Sequence, residues 1–186
     1  MLFMPYIVPF YQDNGLDMHQ IMVLQAIYSV SIVALEIPSG YFADVIGRRR
    51  TLILGVILGT IGMGIYSISY GFMGFLIAEF VLGFGQSFIS GADSALLYDS
   101  LLDNHKEKDY IKYEGRMVSV GNVAEAAAGI VGGLLALISL RTNYYVQTGV
   151  ALLAVPAAIL LMEPGKHKRL GVFNFRTILD VVTDSL

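Results

Sequence analysis

Four acidic side chains, Glu36, Glu79, Asp93 and Glu125, stand within or beside long apolar runs. A charge at mid-membrane costs about 2.5–3.5 kcal/mol even on insertion scales, so carboxylates there hold a proton or a cation, or tie one helix to another. No Lys or Arg lies deep in those runs. Acids and amides without basic partners disfavour anionic solutes such as sugar phosphates. They favour protons, cations or neutral polar molecules. Other chemistries fail on residue type. The chain has no Cys, which removes disulfides, thiol catalysis and thiolate metal sites. His19, His105 and His167 are too scattered for metal-ligand spacing. No Ser/His pair or paired catalytic carboxylates stand at workable spacing, which argues against an intramembrane enzyme. No G-x-x-x-x-G-K-S/T occurs, which argues against ATP drive within this chain. Neither a cofactor nor a nucleic-acid partner is expected.

The elements that carry these groups follow from hydropathy. Of 186 residues, 55% are hydrophobic and 15% charged, where a soluble domain has about 25% charged. Mean hydropathy is +0.65. A hydrocarbon core about 30 Å thick needs roughly 20 apolar residues per helix. Five stretches qualify: Asp17 to Ser39, Thr51 to Tyr70, Phe72 to Leu102, Ile111 to Ser139, and Asn143 to Met162. In lipid only helices and closed barrels satisfy their own backbone, and period-two alternation is absent. The expected fold is all-α, a polytopic transmembrane helix bundle. Leu2 to Tyr11 covers only about 15 Å as helix and has no basic n-region or cleavage site. It reads as the outer end of a helix whose beginning is missing, making five full spans plus one partial.

Basic residues set the orientation. Every Lys and Arg except Arg141 falls on alternate connections: Arg48 to Arg50, Lys106 to Arg116, and the stretch after Met162. The positive-inside rule places those connections in the cytoplasm. Residues 1–163 form the transmembrane bundle. Residues 164–186 form a cytoplasmic segment, in which Phe175, Ile178, Leu179, Val182 and Leu186 have the spacing of an amphipathic interfacial helix.

Helical angles of about 100° per residue group the polar positions. Glu79, Gln86, Ser90 and Asp93 share one stripe on the fourth helix. Gln25, Ser29 and Glu36 share a face of the second. Asn122, Gly129 and Gly133 share one on the fifth, with Glu125 beside them. These stripes are read as lining a water-filled cavity, against the alternative that they hydrogen-bond neighbouring helices and lock the bundle. Glu79 is expected near the outer interface, where a charge is cheap. Glu36 stands close enough to the inner end to meet the loop. Tyr28, Tyr66 and Tyr98 are read as packing or interface residues.

The first cytoplasmic turn reads Gly40-Tyr41-Phe42-Ala43-Asp44-Val45-Ile46-Gly47-Arg48-Arg49-Arg50. Gly40 is expected to let the second helix end, and Gly47 to permit the reversal. Asp44 is an acceptor for a helix N-terminus or an arginine, and the arginines meet lipid heads and nearby carboxylates. This stretch closely resembles the G-x-x-x-D-x-x-G-R-R/K signature of the major facilitator superfamily, which joins that family's second and third helices inside the cell. The resemblance covers nearly the whole chain and implies the amino-terminal six-helix half of a twelve-helix transporter. It implies that Asp99 pairs with Arg48, so that Asp44, Arg48 and Asp99, with Gly40, Gly47 and Arg49, form a cytoplasmic gate. Glu79 stands where the family often has an arginine. Gly115-x8-Ala124-x3-Ala128-Gly129-x2-Gly132-Gly133 partly resembles the family's antiporter signature, with the proline absent and two glycines replaced by alanine; close helix packing is its other reading.

The expected function is secondary active transport by alternating access, moving a small cationic or neutral solute, with proton-coupled efflux through Asp93 or Glu125. The alternative is a structural half-bundle that moves nothing. The expected partners are the lipid bilayer, a small-molecule substrate and a carboxy-terminal six-helix half on the same or a separate chain. The expected location is a bacterial-type plasma membrane.

Overall fold

The computed structural model describes residues 4–164. The interfacial helix expected in the tail lies outside them. After a 3-10 turn at Met4–Tyr6 come α1 (Ile7–Asp13), α2 (Met18–Ile46), α3 (Arg48–Ile68), α4 (Gly71–Ser90), α5 (Asp93–Asp103), α6 (Tyr110–Ala136) and α7 (Leu140–Leu160). No strand occurs among the described residues. Five stretches are long and apolar enough to cross a membrane, with α4 and α5 together making one.

Local chemistry sets the boundaries. Asp17 caps α2: its carboxylate accepts from the Gln20 N–H at 2.7 Å, and the Gln20 side chain accepts from the Asp17 N–H at 3.1 Å. The other end of α2 corrects the sequence expectation. The helix does not stop near Gly40 but runs on to Ile46, and the Gly47 N–H still donates to the Ala43 carbonyl at 3.1 Å. A glycine inside a helix costs only about 1 kcal/mol, too little to break the ladder. Gly47 breaks it, at φ +111°, where a side chain would be strained.

The apolar stretch from Phe72 to Leu102 is also not one helix. It breaks at Gly91–Ala92, where the Ala92 N–H turns back to the Ile89 carbonyl at 3.0 Å. A Cβ on Gly91 would stand 2.8 Å from Ser39 Oγ and 3.2 Å from the Gly40 nitrogen. The break therefore sits where α4 and α2 press together.

Helices without a hydrophobic drive between them associate through small residues. Between α3 and α4, a Cβ on Gly55 would lie 2.8 Å from the Gly85 carbonyl oxygen, and a Cβ on Gly85 would lie 2.8 Å from the Gly59 nitrogen. Helix α7 joins α3 through polar contacts, with Ser67 Oγ 2.8 Å from Thr148 Oγ1 and Thr60 Oγ1 donating to the Ala151 carbonyl at 3.1 Å. Helix α6 stands apart, packing on α7 and α5, with Gly132 its buried residue.

The end of the bundle at the α1–α2, α3–α4 and α6–α7 turns is closed by a buried aromatic cluster of Phe10, Tyr11, Tyr66, Phe75 and Tyr144. Tyr66 stacks on Tyr144 at 5.3 Å and 15°, and Phe75 meets Phe10 edge-on at 5.5 Å. Arg141 fastens this end. It donates to the Ser67 and Ser69 carbonyls at 2.9 and 3.0 Å and to Asn14 Oδ1 at 2.5 Å, with its guanidinium 3.9 Å from the Tyr70 ring centroid. One cation thus ties the turns before α2 and α4 to the start of α7.

Gly55→Val should overpack the α3–α4 contact and cost about 1–3 kcal/mol. Gly59→Ala, whose new Cβ meets nothing within 4 Å, should be near neutral. Thermal unfolding in detergent checks this, and equal melting points for the two variants would contradict it.

Candidate functional site

Two polar constellations stand out, one toward each end of the bundle. The one toward the α3–α4 turn centres on Glu79, which is only 3% exposed. Its Oε1 accepts from Tyr11 OH at 2.6 Å, Tyr66 OH at 2.6 Å and Gln25 Nε2 at 3.2 Å. The two tyrosine hydroxyls also touch each other. These donors come from α1, α3 and α2, and the acceptor from α4, so one carboxylate oxygen joins four helices. This corrects the sequence expectation of a cheap charge at the outer interface. Glu79 stands about two turns into α4, beneath the aromatic cluster, and is shielded from solvent. Tyr66 is more than packing, because it donates to the carboxylate.

A cavity of about 330 Å³ adjoins this group, within the range of small-molecule sites. Glu79, Gln25, Tyr28, Tyr66, Gln86 and Gln147 supply much of its polar lining, and no Lys, Arg or His lines it. Gln25 and Gln86 therefore share one cavity although they come from different helices.

The other constellation, at the α2–α3 turn, centres on Arg48. Its guanidinium lies 3.7 Å from Asp44 and 3.0 Å from Asp99, and it donates to the Ala95 carbonyl. The Arg48 and Asp99 side chains are 25% and 19% exposed. A pair that sheltered is screened less than a surface pair. Arg49 is not left to lipid heads: it donates to the Ile159 carbonyl and so joins the start of α3 to the end of α7. Gly40 lies inside α2, where a Cβ would meet nothing within 4 Å, and Gly47 makes the turn.

The expected stripes are only partly assembled. The break at Gly91–Ala92 takes Asp93 out of the α4 stripe. Its Oδ1 instead accepts from the Ser94 N–H at 2.6 Å, and Ser94 Oγ donates to Glu114 Oε1 on α6 at 3.0 Å. Ser90 is exposed. On α2, Ser29 is exposed and donates back to the Gln25 carbonyl at 2.9 Å. Glu36 is exposed and makes no ion pair among the described residues. On α6, Asn122 and Glu125 are exposed. Tyr98 is 45% exposed and meets Tyr110 edge-on at 5.6 Å.

The Major Facilitator Superfamily profile matches residues 1–180. This chain belongs to the major facilitator superfamily. It is an integral membrane protein of a transporter superfamily, not an enzyme. Quinolone resistance protein NorA of Staphylococcus aureus strain MRSA252 is 21% identical over 171 residues, covering 91% of this chain and 43% of NorA. NorA of strains Mu50 and N315 aligns with the same identity and coverage. The chain thus spans less than half the length of these curated major facilitator relatives.

Within this major facilitator bundle, the group that sequence reasoning missed is Tyr11–Tyr66–Glu79. A signal existed: Gln25 and Glu79 both stand about two turns from the starts of their helices, and so at similar depth. Hydrogen bonds to a charged group are worth about 1.5–3 kcal/mol. Tyr11→Phe should therefore lower stability by about that much. Combined with Glu79→Gln, its effect should fall well short of additive. A double-mutant cycle of unfolding in detergent reads this, and strict additivity would dissolve the coupling.

Proposed function

We propose that this chain forms the amino-terminal six-helix half of a secondary transporter that exports a small cationic or neutral solute by alternating access. The Arg48 cluster is the observation that carries the reading. Its guanidinium spans from the α2–α3 turn to α5 and holds one end of the bundle closed through Asp44, Asp99 and the Ala95 carbonyl. Such a latch has two states, made or broken, as rocking between access states requires. The cluster lies on the cytoplasmic side of a plasma membrane, which the basic residues of that connection support. Outward transport is supported by the relatives named for quinolone resistance.

The solute path lies along α2 and α6. Their exposed faces carry Ser29, Glu36, Asn122 and Glu125 among apolar residues such as Val33 and Val123. A second six-helix unit, on the same or a separate chain, packs across those faces. Acids and amides on the path, with no base among them, support a cationic or neutral solute.

This chain has no Cys, so once any cysteine elsewhere in the full product is replaced, a single introduced thiol reads the latch. With Ser90→Cys as the reporter in the gene's full product, Arg48→Ala should raise the rate of labelling by a membrane-impermeant thiol reagent from the cytoplasmic side several-fold. Asp99→Asn should act in the same direction. Unchanged labelling in both variants would remove the latch, and failure of the full product to export any cationic or neutral dye from cells would remove the transporter reading.

A further inference from the structure

Arg48 and Arg49 both belong to the first turn of α3, and consecutive residues on a helix point about 100° apart. One guanidinium reaches α5 and the other α7. The two contacts differ in kind. Arg48 pairs with two carboxylates, and its carbonyl partner, Ala95, lies inside α5. Arg49 makes no ion pair among the described residues, and its buried Nε has no hydrogen-bond partner there. Its hold is on the Ile159 carbonyl, one of the last four of α7, which a helix leaves without an intrahelical N–H.

The last turn of α7 needs such a hold. Pro156 has no N–H to give the Leu152 carbonyl, so the ladder is interrupted one turn before the helix ends. That turn has no basic residue of its own to meet its carbonyls. Ala158 is buried, but Ile159, Leu160, Leu161 and Met162 are exposed, so packing fixes little of it.

We infer that Arg49 is a positioning residue that ties the last turn of α7 to α3, so that this turn follows α3 rather than α5 when the Arg48 contacts break. Carboxylates released by Arg48 can turn to water or lipid headgroups, and the Ala95 carbonyl lies within the ladder of its own helix. The end of α7 has no such replacement, and baring its carbonyls is costly. The first turn of α3 thus holds two neighbours, one releasably and one lastingly. This inference rests on the latch reading of Arg48 and adds which helix moves with which.

Double electron–electron resonance on the full gene product reads both arms, with any other cysteine replaced and nitroxides placed in pairs. One pair joins Leu160→Cys at the end of α7 to Leu54→Cys on α3, both exposed positions. The second joins Leu160→Cys to Asn104→Cys, at the exposed end of α5. Arg48→Ala should lengthen the α7–α5 distance by roughly 1–5 Å, the scale of helix shifts in switching proteins, and leave the α7–α3 distance unchanged. Arg49→Ala should broaden the α7–α3 distribution about twofold, as a helix end does when it frays, and Arg49→Lys should restore it. With Pro156→Ala also present, Arg49→Ala should broaden it less, because the ladder then reaches the last turn unbroken. Arg49→Gln, a shorter neutral donor, takes the place of Arg49→Ala if that variant does not fold. An α7–α3 distribution indifferent to Arg49→Ala and Arg49→Gln would overturn the inference, as would an α7–α3 distance that lengthens with Arg48→Ala. An α7–α5 distance indifferent to Arg48→Ala, with the Arg49→Ala broadening intact, would remove the latch and leave the Arg49 tie standing.

Discussion

Glu79 Oε1 takes hydrogen bonds from α1, α2 and α3, and through them the carboxylate decides how four helices meet. Hydrocarbon offers no competing donor, so an acid placed there must find its partners inside the protein. The aromatic cluster above it shares the same residues: Tyr11 meets Phe75 edge-on and Tyr66 stacks on Tyr144 while both hydroxyls donate to the acid.

The two ends of the bundle use arginine differently. At one end Arg141 meets only neutral acceptors and ring faces, drawing three connections into one fixed cap. At the other end Arg48 meets two carboxylates. An ion pair can exchange partners with water or lipid headgroups as the end opens. Carbonyl oxygens at helix ends have fewer alternatives, since leaving them bare in a low-dielectric setting is costly. The Arg141 cap therefore suits a fixed closure, and the Arg48 cluster suits the made-and-broken contact proposed for it.

The α3–α4 contact supplies the rigid frame between these ends. At Gly55 and Gly85 the two backbones come together so closely that no side chain fits at either position. Helix α4 is therefore held against α3, and Glu79 and Gln86 are carried to fixed positions on the cavity wall. Helix α6, by contrast, is lightly held, which leaves its polar and apolar residues available to another surface.

The amino-acid sequence by itself determined the number of long apolar helices, their alternation and the place of the Gly47 reversal. These depend on hydropathy, helix length and one residue's backbone freedom, all of which are local. It also carried the family, because the turn from Gly40 to Arg50 has its residues at fixed offsets. Only the tertiary structure decided that α2 continues through Gly40, that the apolar stretch from Phe72 to Leu102 breaks at Gly91–Ala92, and that Asp93 leaves the stripe that angular spacing assigns it. Each turns on pressure from a neighbouring helix, which no single-helix pattern contains. Glu79 is the sharpest case. Its cost depends on depth and on donors from α1, α2 and α3, and residues as far apart as Tyr11 and Glu79 meet only when the bundle has packed.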